Sequence, residues 1–162
     1  QALRAQMFAA VRGELLPKHR DRISPEIVWN LEKGLGLTAE EIQRAERTRQ
    51  RIYHAVVAWF AEYDMLACPT VALPPFPVEQ RYPTEINGEP LSTYIDWMFL
   101  TFVLTLTGCP AISVPCGFTA GGLPGGLQPA GPPQGDAALL CGAQALEDAL
   151  GLRGTVPRLP RG

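Results

Sequence analysis

The chain has 162 residues and a formal net charge of −2, from 14 Lys+Arg against 16 Asp+Glu. This balance excludes an electrostatic nucleic-acid binder and a basic membrane-surface module, because both need an excess of positive charge. Charged residues make up 19%, below the roughly 25% of ordinary soluble domains. We therefore expect some apolar surface to be covered by another domain or by a second copy in a homo-oligomer.

Residues 1–62 are predicted to be helical. Four apolar residues recur at helical spacing in the first helix, which Pro17 is expected to end; they are Leu3, Met7, Val11 and Leu15. A second helix is predicted to begin at Ser24 as N-cap and to end at Gly34. Thr38 and Glu41 form a capping box that opens a third helix, from about residue 39 to residue 62.

Residues 63–156 are predicted to combine strands, loops and helices. Residues 65–68 form a short apolar run typical of a buried strand. The proline-rich segment that follows contains an Asn87-Gly88 turn signal, and it is either a functional loop or a spacer.

The rest of this portion is predicted to contain two helices and a hairpin. An apolar helix is expected over residues 94–106, and the hairpin strands around residues 111–114 and 127–128. Asp136 is predicted to cap a last helix that Gly151 closes. Residues 157–162 are predicted to be a frayed tail.

The sequence contains no pattern for metal, cofactor or nucleophilic catalysis. The cysteines, Cys68, Cys109, Cys116 and Cys141, include no C-x-x-C pair, which favours reduced, mostly buried thiols in a cytoplasmic protein. Residues 121–136 are rich in glycine but match no phosphate-binding loop. None of the serines lies in a motif with an activating base. No apolar run is long enough to span a membrane. We therefore expect no catalytic residue, no metal and no cofactor in this chain.

Three runs of sequence resemble the C-terminal half of the amidase signature family. They are YDMLACPT at residues 63–70, TGCPAISVPCGF at residues 107–118 and GLPGGLQPAGPPQGDAALL at residues 122–140. The resemblance implies an α/β fold with a mixed sheet flanked by helices, and hydrolysis of C–N bonds by acyl transfer. In this family a Ser, cis-Ser, Lys triad lies upstream of the matched region. The chain is thus expected to be the C-terminal part of a single amidase domain, inactive alone, that completes the core and one wall of the substrate pocket.

Four residues are predicted to bind a small-molecule amide: Trp29, Thr70, Trp97 and Met98. Thr70 follows a strand whose end is expected to feed a loop into the site. In the family's glutamine-using branch, an arginine and an aspartate align with Trp29 and Met98. The loss of both charges favours an apolar or aryl amide over the substrate of a glutamyl-tRNA amidotransferase A subunit.

Two alternatives stay open at this point. Trp29, Trp97 and Met98 could be core residues, and the chain could be a free-standing binding module that complements a separate catalytic chain. Gly125 and Pro129 depart from the family pattern. As a result, their strand loses side-chain packing and a backbone donor. They predict a weak, mobile strand around residues 127–131.

Overall fold

This computed structural model describes residues 1–152 of the chain. Their secondary structure confirms the predicted α/β class. The chain divides after His54 into two compact units. The predicted frayed tail, residues 157–162, lies outside the described residues.

Helices make up the first unit. They are α1 (Ala2–Arg12), α2 (Leu16–His19), α3 (Pro25–Leu35) and the first part of α4 (Ala39–Trp59), with 3₁₀ turns at Gly13–Leu15 and Arg20–Arg22. The prediction that Pro17 ends the first helix is wrong, because Pro17 lies in the first turn of α2. Proline is tolerated there since the first N–H groups of a helix have no intrahelical partner. Helix α4 ends three residues before its predicted end, and the Trp59 ring stacks on the Tyr63 ring just beyond it.

A close approach of α1 to α3 forms the core of the first unit. Ala5 of α1 is fully buried and Leu31 of α3 is 1% exposed. A Cβ at Gly34 would lie 2.8 Å from the Ala9 Cβ and closer still to the Ala5 carbonyl group. The prediction that Gly34 ends the helix is therefore wrong. Its role is to let two backbones meet, and α3 continues to a C-cap at Gly36.

The capping box at the start of α4 is confirmed. The Thr38 N–H donates to the Glu41 carboxylate at 2.8 Å, and the Glu41 N–H donates to the Thr38 hydroxyl at 3.2 Å. The Thr38 hydroxyl also donates to the carboxylate, at 3.0 Å. These bonds stabilise the charged form, so the Thr38 N–H and then the Thr38 hydroxyl hold the pKa of Glu41 below its ordinary value.

The second unit contains a three-stranded antiparallel sheet in the order β1 (Leu66–Pro69), β5 (Pro124–Ala130), β4 (Val114–Phe118). The predicted hairpin is confirmed as the β4–β5 pair, although regular pairing begins at Val114 and only an isolated bridge forms at Ala111. A second hairpin joins β2 (Glu85–Ile86) to β3 (Glu89–Pro90). Asn87 and Gly88 connect these strands with φ of 52° and 81°, which is the geometry of a type I′ turn.

The strand predicted to be weak, around residues 127–131, is regularly paired with β1 over residues 127–130, and its mobility stays a prediction. β5 is the central strand, and Leu127 pairs with Pro69 on one side and with Val114 on the other. The Pro129 carbonyl accepts a hydrogen bond from the Ile112 N–H at 3.0 Å. The Pro129 nitrogen faces the same neighbour, between the last regular β4 pair at Val114 and the isolated bridge at Ala111. Its missing donor therefore leaves the pairing of β5 with β1 intact.

Two helices complete the second unit: α5 (Phe99–Thr105), preceded by a 3₁₀ turn at Asp96–Met98, and α6 (Asp136–Leu150). The N-cap of α6 is Gly135, so the prediction that Asp136 caps this helix is wrong and Asp136 is its first residue. Gly151 closes α6 with φ 66°, as predicted. No helix within residues 1–152 combines the length and the apolar character that a membrane crossing demands.

The cysteines are less buried than predicted. All four thiols are free; Cys68 and Cys109 are half-buried, whereas Cys116 and Cys141 are exposed. Among the described residues no three His, Cys, Asp or Glu side chains come close enough to hold a metal ion.

Candidate functional site

An open cleft of about 890 Å³ lies in the second unit. Residues 69–76, which leave the end of β1, form one wall. Trp97 and residues of the β4–β5 hairpin form the others. The proline-rich segment is thus a wall of this cleft where it leaves β1, which favours its interpretation as a functional loop over a spacer.

The described lining of the cleft carries no charged side chain. No Asp, Glu, Lys, Arg or His is among the described residues that line it. Its surface is apolar apart from hydroxyl groups, a thiol, backbone and an indole. Such a lining accepts uncharged and largely apolar ligands, because a buried charge without a partner carries a large desolvation penalty.

Two hydroxyl groups meet at the sheet side of the cleft. The Thr70 Oγ1 and the Ser113 Oγ lie 2.7 Å apart and share a hydrogen bond. Thr70 directly follows β1, and its N–H donates to the Gly126 carbonyl at 3.0 Å. Ser113 directly precedes β4. The two strands that flank β5 therefore deliver one hydroxyl each to the same point.

Two aromatic rings contribute apolar surface to the cleft. Phe76 and Trp97 pack edge to face, with ring centroids 5.5 Å apart and an interplanar angle of 88°. The Trp97 indole Nε1 is buried and has no hydrogen-bond partner among the described residues. An edge-to-face pair of this kind presents both a ring face and a ring edge.

The cleft contains hydroxyl groups but no base to activate them. A serine or threonine nucleophile needs an adjacent His, Lys or comparable proton acceptor. None is found among the described residues of the lining. The arrangement is therefore suited to binding a ligand, and the geometry provides no nucleophile–base pair.

The structure brings together two of the four predicted substrate-binding residues. Thr70 and Trp97 both line the cleft, whereas Met98, which ends the neighbouring 3₁₀ turn, is not among the described lining residues. Trp29 lies on α3 in the first unit. It is 36% exposed, and the Lys33 Nζ lies 4.7 Å from the centre of its ring.

Among the cleft residues that were not predicted from the sequence, three define the hydroxyl pair and the aromatic pair. Phe76 lies in the proline-rich segment, Gly126 in the glycine-rich residues 121–136, and Ser113 in the strand predicted around residues 111–114. The signal that could have found Ser113 is register: Thr70 and Ser113 each lie one residue beyond a pair made with Leu127. That signal requires the order of the three strands.

The comparisons with known proteins agree on one family. A sequence model of the Amidase family matches residues 5–140. An acylamidase of Rhodococcus erythropolis is 33% identical over 122 residues, which are 75% of this chain and 25% of that protein. The A subunit of the glutamyl-tRNA(Gln) amidotransferase of Halothermothrix orenii is 35% identical over 116 residues, which are 72% of this chain and 23% of that protein.

Solved structures show the same fold. A crystal structure of an amidase matches with a TM-score of 0.82 and 26% identity, over 93% of this chain and 34% of that one. A bacterial aryl acylamidase of the amidase signature family matches with a TM-score of 0.75 and 24% identity, over 95% and 34%.

The chain belongs to the Amidase family, as the sequence runs predicted. It spans about a quarter of the length of the curated relatives it matches.

Proposed function

We propose that this chain supplies one wall of the substrate pocket of an enzyme that hydrolyses the C–N bond of small apolar or aryl amides by acyl transfer. Family membership supports the reaction class. The observation that carries the substrate class is the charge-free lining of the cleft, with its Phe76–Trp97 aromatic pair. The reacting groups are proposed to lie outside this chain, because the described residues of the cleft include no nucleophile–base pair.

Within this proposal Thr70 and Trp97 contact the substrate in the cleft. Trp29 and Met98 stay predicted contacts, and a cytoplasmic location and a homo-oligomer stay predictions as well. An enzyme of this class needs no cofactor, because amide hydrolysis requires only a nucleophile, a proton acceptor and water.

The glutamyl-tRNA amidotransferase A subunit is the natural competitor, since several relatives carry that name. Free glutamine presents an ammonium and a carboxylate, which a binding site must pair with opposite charges. The described lining of the cleft offers neither charge. The cleft therefore favours uncharged amides.

A titration of the purified chain tests the substrate class. We expect acetanilide to shift the backbone amide signals of Thr70 and Gly126 and the indole signal of Trp97 in ¹H–¹⁵N spectra, and glutamine to leave them in place. The Gly151 amide, outside the cleft, is the internal control. Shifts with glutamine and none with acetanilide would reverse the assignment of substrate class.

A hydrolysis assay tests where the reacting groups lie. We expect the purified chain to release no aniline from acetanilide above the background of a triple variant, Ser24→Ala, Ser92→Ala and Ser113→Ala. Aniline release at enzyme-like rates by the chain but not by the triple variant would place a catalytic serine in this chain and refute that part of the proposal.

A further inference from the structure

The hydroxyl pair at the sheet side of the cleft has hydrogen-bonding capacity left over. Thr70 and Ser113 each carry one O–H proton, and their mutual bond at 2.7 Å uses only one of them. One O–H donor and free acceptor lone pairs therefore remain. Ser113 is exposed and Thr70 half-buried, so this capacity is accessible from the cleft that both residues line.

The backbone holds the pair in place. The Thr70 N–H is bound to the Gly126 carbonyl at 3.0 Å, and Ser113 adjoins Val114, which is 1% exposed and paired with Leu127. Both hydroxyls are thus attached to paired strands. A hydrogen-bonding group on such a support has little orientation to lose when a ligand binds.

Gly126 makes room for the pair. A Cβ built on Gly126 would lie 2.7 Å from the Thr70 Oγ1 and 2.9 Å from the Ser113 Oγ, so either hydroxyl would have to move. The adjacent Gly125 differs, because a Cβ there would meet nothing nearer than 3.8 Å. Of these two neighbouring glycines, only Gly126 leaves space that the hydroxyl pair occupies.

We infer that Thr70 and Ser113 form a specificity-determining hydrogen-bond site that donates to the carbonyl oxygen of the bound amide, with Gly126 keeping that site open. The inference rests on the proposed function of the cleft and goes beyond it by assigning the polar contact. In a charge-free cleft, one such donor selects ligands that carry an acceptor, because an acceptor buried without a partner loses its bonds to water. Thr119, the remaining hydroxyl of the described lining, accepts the Leu123 N–H at the hairpin tip.

Three probes of similar shape separate the contributions of the carbonyl and the N–H. Acetanilide has both groups, phenylacetone keeps only the carbonyl, and isobutylbenzene has neither. Binding of each probe to the purified chain is measured by the ¹H–¹⁵N shifts of cleft amides. The main variant combines Thr70→Val with Ser113→Ala and removes both hydroxyls at nearly constant shape. Its matched control combines Thr105→Val with Ser92→Ala, which makes the same chemical changes at two exposed positions outside the cleft.

We expect the main variant to bind acetanilide and phenylacetone about three- to tenfold more weakly, which is the range of one neutral hydrogen bond. Isobutylbenzene should bind the variant and the wild type equally. Gly126→Ala should reproduce the loss, and Gly125→Ala should not. The control double variant should retain wild-type affinity for all three probes.

Two failures are distinguishable. If the wild type binds acetanilide in the cleft and the main variant binds it equally well, the hydrogen-bond site is refuted and the proposed function stands. If none of the three probes shifts the cleft amides of the wild type, the proposed function and the inference fail together. Because Thr70→Val and Gly126→Ala alter the pair by different routes, misfolding of one variant leaves the other to decide.

Discussion

Replacing Gly34 with alanine tests whether the close approach of α1 and α3 holds the first unit together. An alanine Cβ would lie 2.6 Å from the Ala5 carbonyl carbon, 2.8 Å from the Ala9 Cβ and nearer still to the Ala5 oxygen. Carbon atoms in contact normally lie about 3.5–4.0 Å apart. Two of these obstacles are main-chain atoms, which cannot rotate away, so the two helices must separate.

Two opposing effects set the magnitude. Alanine is favoured over glycine in a helix interior by about 1 kcal/mol. Overpacking that forces backbone shifts costs about 1–3 kcal/mol, and a main-chain displacement of roughly 1 Å lies at the upper end, because such a gap forfeits up to half of the dispersion energy of the lining atoms. We expect a net loss of about 2 kcal/mol in the free energy of unfolding of the first unit.

The assay is urea denaturation followed by the fluorescence of Trp29. The chain has three tryptophans, and a Trp59→Phe, Trp97→Phe background leaves Trp29, which lies in the first unit, as the only reporter. The matched control is Gly36→Ala, where the Cβ would meet Glu32 O at an ordinary 3.4 Å. That control should change stability by less than about 0.5 kcal/mol. A Gly34→Ala midpoint equal to or above that of the control would refute the packing argument.

Two further predictions concern stability. Gly142→Ala should change the free energy of unfolding by less than about 1 kcal/mol, measured by urea denaturation followed by circular dichroism. Its Cβ would meet the flexible end of the Met65 side chain, which can rotate away while the helix gains the higher propensity of alanine. A loss as large as that expected for Gly34→Ala would contradict this prediction. The folded-state pKa of Glu41 is lowered by the N–H and hydroxyl of Thr38, so its stabilisation is present above the unfolded carboxyl pKa of about 4.3 and is lost as the pH falls through the folded value. The urea midpoint of Glu41→Gln should therefore decline less on acidification below that pH than the midpoint of the wild type or of Glu40→Gln, and parallel curves for all three would count against the capping contribution.

The cleft shows which site residues sequence patterns can predict and which they cannot. Thr70 was predicted because it follows a strand whose end was expected to feed a loop into the site, and it lies in the cleft with Trp97. Ser113 could not be selected in this way. Its partner is 43 residues away, and the contact exists only because β5 lies between β1 and β4. The effect of Pro129 also depends on strand order, since its missing donor faces the β4 side and leaves the pairing of β5 with β1 intact.

The sequence by itself determined the features whose partners lie within a few residues. The Thr38–Glu41 capping box, the Asn87-Gly88 turn and the Gly151 helix end were all predictable, because each is made by bonds or backbone angles local to one turn of chain. Only the tertiary structure decided that Gly34 serves helix contact rather than helix termination, and that Gly126 leaves space for two hydroxyls. The structural role of a glycine depends on the atoms that occupy the place of its missing side chain. At Gly34 and Gly126 those atoms come from distant parts of the chain.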